Sequence, residues 1–245
     1  MRALKFIFVA FFALILAGPG RGADFDSANQ LYDAGKFAEA KAAFEELVEH
    51  GEWKANLFHN LGNTHYRLAD PGAAILAYER ALTLDPAHPE ARANLNLIRG
   101  KTGATAWPTT WRDAVFPGRW IAAYLIVAAV AGWLAVAMVW WIVSTAPGEK
   151  AGRWFALVMA VLVAGYAGAA VWYFEEARSA AIVVAKTAEV RLAPAETAGA
   201  AGALPAGSAV RVLSVRGDWT YCALPEQRRG WISSKAIERV RLGDS

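Results

Sequence analysis

Two long stretches without a charged side chain constrain this chain more than any other feature. Trp120 to Val143 runs for 24 residues without Asp, Glu, Lys or Arg, and Trp154 to Phe174 for 21. A helix needs about 20 apolar residues to cross roughly 30 Å of hydrocarbon. The spacing therefore predicts transmembrane helices at 120–143 and 154–174, joined by a loop at 144–153 around Pro147-Gly148. So short a connection forces an antiparallel hairpin. Trp120 and Tyr124, Trp140 and Trp141, Trp154 and Phe155, and Trp172 and Tyr173 mark the four ends, where indole and phenol rings favour the headgroup boundary. Ala128 with Gly132, and Ala164 with Gly168, put small residues at the four-residue spacing that close helix packing in lipid uses. Neither stretch holds an acidic, basic or histidine side chain, which argues against an ion or proton pathway. Composition agrees: 56% of residues are hydrophobic and 19% charged, against roughly 45–50% and 25% in soluble domains.

Residues 1–23 read as a secretory signal peptide, with Arg2 and Lys5 ahead of an apolar run from Phe6 to Ala17. A signal puts residue 24 onward outside the cytoplasm, and a hairpin returns the chain to the side it left. Both soluble parts are then extracytoplasmic, on a bacterial inner membrane, with loop 144–153 in the cytoplasm. Lys150 and Arg153 in that loop fit the positive-inside rule.

Residues 24–100 match themselves at a period of 34: Ala28-Asn29 and Tyr32 align with Gly62-Asn63 and Tyr66, Ala40 with Ala74, Phe44 with Tyr78. This period, with two helices per unit, is the tetratricopeptide signature. Gly62 and Ala74 are small where paired helices touch, and Pro86 stops the second helix. A helix from Pro89 to Ile98 caps the array, and residues 101–119 follow as a Gly/Pro-interrupted linker. Two repeats and a cap fall short of the three or so that stability needs, so the unit is expected to lean on a partner. Asn29, Asn60, Asn63 and Asn94, with Tyr32 and Tyr66, fall on the predicted groove wall. An asparagine can hold a peptide backbone without reading its side chains, or serve only its own helix face. Asn29 and Asn60 match the two asparagines with which some tetratricopeptide domains clamp a C-terminal carboxylate. Phe25, Glu90 and Asn94 replace the basic residues of that clamp. Seven basic and twelve acidic residues give this region a net charge of −5, which favours neutral or basic peptides.

Residues 181–242 alternate short β-rich runs with turns: Ile182–Val184, Ala209–Val215, Trp219–Leu224 and Gly230–Ser233. Val210, Val212 and Ser214 are expected on one strand face, and Gly217-Asp218 as a hairpin turn. The motifs Glu189-Val190-Arg191-Leu192-Ala193-Pro194, Gly202-Ala203-Leu204-Pro205-Ala206-Gly207, Gly217-Asp218-Trp219-Thr220-Tyr221 and Gly230-Trp231-Ile232 resemble the bacterial SH3 domain, an all-β SH3-like barrel. In that reading 195–203 is a long loop. Trp219 and Tyr221 are its candidate ligand surface, and Trp231 is expected in the core.

The order of signal, repeats, hairpin and SH3-like domain resembles the BatE family of Bacteroides-aerotolerance proteins. The runs Asn60-Leu61-Gly62-Asn63 and Ala73 to Leu82 are similar to that family's repeat. The resemblance implies a place beside membrane-anchored von Willebrand A-type Bat proteins and a MoxR-type AAA+ ATPase, in envelope or stress tolerance.

The expected fold is thus a multidomain membrane protein: all-α tetratricopeptide repeats, a transmembrane helical hairpin and an all-β barrel. The expected role is a non-enzymatic scaffold or adaptor for protein or peptide partners. Peptidoglycan binding through the SH3-like domain is the alternative. No concentrated basic footprint marks a nucleic-acid site. No nucleophile–base pair, phosphate loop or cofactor motif is present. The lone cysteine, Cys222, has no histidine after His88 to activate it and reads as a small core residue. His59 and His65, six apart, do not have the spacing of a metal pair on one helix, so no metal or cofactor is expected.

Overall fold

The computed structural model describes residues 24–108, 121–144, 150–225 and 228–242. The expected signal peptide, residues 109–119 of the expected 101–119 linker and residues 145–149 of the expected 144–153 loop lie outside the described residues.

Five helices form the first unit: α1 (Phe25–Asp33), α2 (Phe37–Glu49), α3 (Ala55–Arg67), α4 (Pro71–Leu84) and α5 (Pro89–Thr102). Their ends follow local chemistry. The Asp24 carboxylate and the Ser27 hydroxyl form a reciprocal capping box at α1. Asp70 caps α4 ahead of Pro71 by accepting from the Ala73 N–H at 3.1 Å. Gly103, at φ 68°, takes the left-handed conformation that ends α5. The cap helix therefore extends to Thr102, past the Ile98 that the sequence suggested, and the linker starts correspondingly later.

Apolar faces at helical spacing meet in one core. Ala28, Ala40, Phe44, Leu57, Phe58 and Tyr78 are all 0–1% exposed. Gly62 is required by close approach. A Cβ there would lie 2.7 Å from the Tyr78 ring, which takes the place of a side chain between α3 and α4.

A seven-stranded antiparallel sheet follows the hairpin: β1 (Ala180–Val183), β2 (Thr187–Arg191), β3 (Ala200–Pro205), β4 (Ala209–Arg216), β5 (Trp219–Ala223), β6 (Arg229–Ser233) and β7 (Ile237–Arg239). The order is β3-β2-β6-β5-β4-β1-β7. Leu204 of β3, near one edge, and Ala181 and Val183 of β1, near the other, share one core with Val190, Cys222 and Ile232. The sheet is therefore rolled. The Ser234–Ala236 turn closes the roll: the Ser234 N–H donates to the Asp218 carbonyl (2.8 Å), and the Ala236 carbonyl accepts from the Val184 N–H (2.9 Å).

Three sequence expectations change here. Val210 and Val212 face the core, but Ser214 does not. The register shifts between Val212 and Ser214, so a bulge at Leu213 turns Ser214 outward, opposite Tyr221. Trp231 is half-buried on the outer face, paired with Tyr221, while its neighbour Ile232 fills the core. The end of the expected 195–203 loop is strand β3, whose Ala/Gly composition carries little β signal. Gly217-Asp218 does form the two-residue turn, with Gly217 at φ 58° between paired Arg216 and Trp219.

The sheet also covers α4, supplying cover that two repeats lack. Ile182, Ala209 and Val240 join the helical core. Arg80 of α4 donates from Nε to the Val240 carbonyl (3.2 Å), and from Nη2 to the Arg239 carbonyl (3.0 Å) and Glu238 (2.7 Å).

Between the two units lie α6 (Ile121–Ser144) and α7 (Lys150–Arg178), which pack on each other as a hairpin. Ala123–Trp141 of α6 is long and apolar enough to cross a membrane. In α7 the apolar stretch Leu157–Tyr173 lies within the uncharged run Trp154–Phe174. Large apolar side chains point away from the pair, including Trp133 (76% exposed) and Leu162 (60%). The inner contact is made by Ala131, Ala167 and Ala170, with Tyr124 edge-on to Tyr166 at 5.8 Å. Gly132 and Gly168 are not needed there, since a Cβ on either meets nothing within 4 Å.

Both chain connections to the hairpin converge on β4. The Ala209 N–H donates to the Thr105 carbonyl (2.8 Å), the Arg211 guanidinium lies 4.1 Å from the Trp107 ring centre, and the Val212 N–H donates to the Ser179 carbonyl (2.7 Å).

Candidate functional site

The inner helices α1, α3 and α5 carry a hydrogen-bonded ladder. Asn60 Nδ2 donates to Asn29 Oδ1 at 2.7 Å, joining α3 to α1. Asn94 Nδ2 donates to Asn63 Oδ1 at 2.9 Å, joining α5 to α3. The Tyr78 hydroxyl donates to the same Asn63 oxygen at 2.7 Å. His59 bridges the halves, with Nδ1 3.2 Å from Asn60 Oδ1 and Nε2 3.4 Å from Asn63 Nδ2. A neutral imidazole protonated on Nδ1 satisfies both contacts. Burial, together with His88 stacked 4.9 Å away, lowers the His59 pKa and favours that neutral form.

An open pocket of about 70 Å³ adjoins the ladder, lined by Tyr32, Asn63, Tyr66, Tyr78, Asn94, Leu97 and Ile98. Four of the six groove residues expected from sequence therefore converge: Tyr32, Asn63, Tyr66 and Asn94. Asn29 and Asn60 lie outside the pocket lining and bond each other. The sequence reading missed Leu97, 53% exposed on the cap helix, and Lys101, whose Nζ donates to the Tyr66 hydroxyl at 2.7 Å. Their signal was present in the i, i+3, i+7 spacing of Asn94, Leu97 and Lys101 on one helix face. Chemically the pocket offers an apolar floor, three tyrosine rings and two amides. That set suits an extended backbone with one apolar side chain.

The second expected surface lies on the outer face of the sheet. Trp219 and Tyr221 alternate outward along β5, and Tyr221 packs tilted against Trp231 with ring centres 5.0 Å apart. Arg191, opposite Trp231, donates to the Ala198 carbonyl (2.9 Å) and to Glu189 (2.6 Å) and so ties down the β2–β3 loop. Cys222 is fully buried, and burial pushes its thiol pKa up to about 12.

His65, where the repeat pattern has an aromatic, is 7% exposed, and burial lowers its pKa. Two histidines held neutral set a pH dependence. The unfolded chain binds their protons near pH 6.5, and the folded chain only at lower pH. Stability is therefore retained above that value and falls as the pH drops through it. The slope is at most about 1.4 kcal/mol per pH unit for each histidine. Thermal melts from pH 7.5 to 5.5 should show a falling midpoint, with the slope reduced in His65→Phe.

The tetratricopeptide repeat profile matches residues 55–88, which are α3, α4 and the turn into α5. No curated protein matches the chain. The helical repeats and the separate antiparallel sheet define a multidomain protein whose repeat unit is of the protein–protein interaction class.

Proposed function

We propose that this protein is a membrane-anchored extracytoplasmic scaffold that holds a protein partner by an extended segment laid in the α1–α3–α5 groove. The pocket beside the asparagine ladder carries this reading. Its amides are pre-positioned by one another and by Tyr78, so binding a backbone there costs little ordering. Two spans anchor the scaffold, α6 and α7. Convergence of both hairpin connections on β4 supports placing the helical unit and the sheet on one side of the bilayer. With the signal reading, that side is the periplasm. The Bat/MoxR-type envelope complex, with von Willebrand A-type neighbours, rests on the BatE resemblance and belongs to this proposal.

A photo-crosslinking amino acid at Leu97 in intact membranes tests the groove. Protein adducts are expected at Leu97 and not at Glu39, on the far side of the first repeat. Equal labelling from both positions would remove the groove from the proposal. The outward Tyr221–Trp231 ring pair favours a second reading, in which the SH3-like sheet binds peptidoglycan peptides. Loss of murein co-sedimentation in Trp219→Ala/Tyr221→Ala, with Leu97 adducts intact, would favour it.

A further inference from the structure

We infer that the sheet unit rests directly on the bilayer, through a collar of Trp107, Arg211 and Leu213 at the root of the helical hairpin. The inference builds on the membrane-spanning reading above. The uncharged run of α7 ends at Phe174, and Glu175 and Glu176 follow it in sequence. From Phe174 to Ser179 is about five residues, about 7.5 Å along a helix. The headgroup layer beyond the hydrocarbon is about 5–8 Å thick on each side. Ser179 therefore stands at the outer margin of the headgroups, and lower if the helix tilts.

The Ser179 carbonyl accepts from the Val212 N–H at 2.7 Å, so β4 is fixed at this same level. The next residue is the bulge. It projects Leu213, 48% exposed, on the outer face. A sheet residue exposing that much aliphatic surface to water is costly, and at the membrane margin it is not. On the incoming side, Trp107 packs its ring against the Arg211 guanidinium at 4.1 Å. An indole beside a cation and aliphatic side chains suits the phosphate and acyl-ester layer. The bulge thus has a use: it turns an apolar side chain out at the point where the strand reaches the lipid.

The test uses the full chain in phosphatidylethanolamine/phosphatidylglycerol vesicles, with nitroxide labels at single introduced cysteines. Buried Cys222 does not label. Leu213→Cys is compared with Val130→Cys, on the outer face of α6, and with Glu39→Cys, on the far repeat. Collision with oxygen relative to a water-soluble nickel chelate reports depth. The ratio at Leu213→Cys should be several-fold above that at Glu39→Cys and below that at Val130→Cys. A ratio equal to that of Glu39→Cys, with Val130→Cys deep in the bilayer, overturns the collar and leaves the membrane reading standing. A water-exposed Val130→Cys overturns both.

Discussion

Gly62→Leu should lower the thermal midpoint of the helical unit sharply and abolish crosslinking from the groove. The cause is steric. A Cβ at Gly62 falls 2.7 Å from Tyr78 Cε1 and 2.9 Å from Cδ1, inside any normal contact. The Tyr78 ring cannot yield, because it is 1% exposed and its hydroxyl is bound to Asn63. Overpacking a closed core costs about 1–3 kcal/mol or more, and a leucine adds three carbons beyond the offending Cβ. Displacing Tyr78 also removes its bond to the Asn63 oxygen that Asn94 shares, so the pocket wall fails together with the packing. Gly100→Ala is the matched control. Gly100 is also helical, but an added Cβ meets nothing within 4 Å. That change should stabilise by about 0.5–1 kcal/mol through helix propensity. Melts of the two variants side by side check the point. A Gly62→Leu protein that melts with the wild type would refute the α3–α4 contact.

Much of this was legible because the repeat encodes local rules. Pro71, Pro86 and Pro89 punctuate helices by chemistry that needs no tertiary context. The small–large pairing of Gly62 with Tyr78 repeats in register with Ala28 and Phe44. The two apolar helices were legible for the same reason, since length and lack of charge are local properties of the sequence. What escaped depends on contacts distant in sequence. Trp231 looks like a core residue, yet strand alternation is fixed by Ile232 and Cys222, and it places the indole outside. The bulge at Leu213 breaks a period-two pattern that Val210 and Val212 begin, and nothing in the run Val212-Leu213-Ser214 signals it. The groove asparagines were found, but not their mutual bonding. A separation of 31 residues brings Asn29 to Asn60 and Asn63 to Asn94, three short of the sequence period, which moves each partner by nearly one turn. The docking of the sheet on α4 left no pattern at all, because Gly72 reads as an ordinary helix-start glycine.

That docking supports the second large effect. Gly72→Leu should separate the helical unit from the sheet and turn a shared unfolding transition into two. A Cβ at Gly72 would lie 2.7 Å from the Val184 carbonyl oxygen and 3.0 Å from that of Val183. Both are backbone atoms of a strand end held by the Gly207 N–H (2.7 Å) and the Ala236 carbonyl (2.9 Å), so neither can move aside. Arg80→Ala attacks the same interface from its other end. It strips the Val240 and Arg239 carbonyls of their guanidinium donor, at a cost of about 1–3 kcal/mol for groups left buried. The two variants differ in kind, one by intrusion and one by deletion, and should converge on one phenotype. Calorimetry should resolve two transitions, and limited proteolysis should open the 104–108 segment, whose Thr105 carbonyl is otherwise held by Ala209. On the proposed membrane reading, the same variants should keep groove binding yet lose its fixed geometry, since α4 meets the sheet through β1 and β7. A single unshifted transition in both variants would mean that the two units fold and act independently.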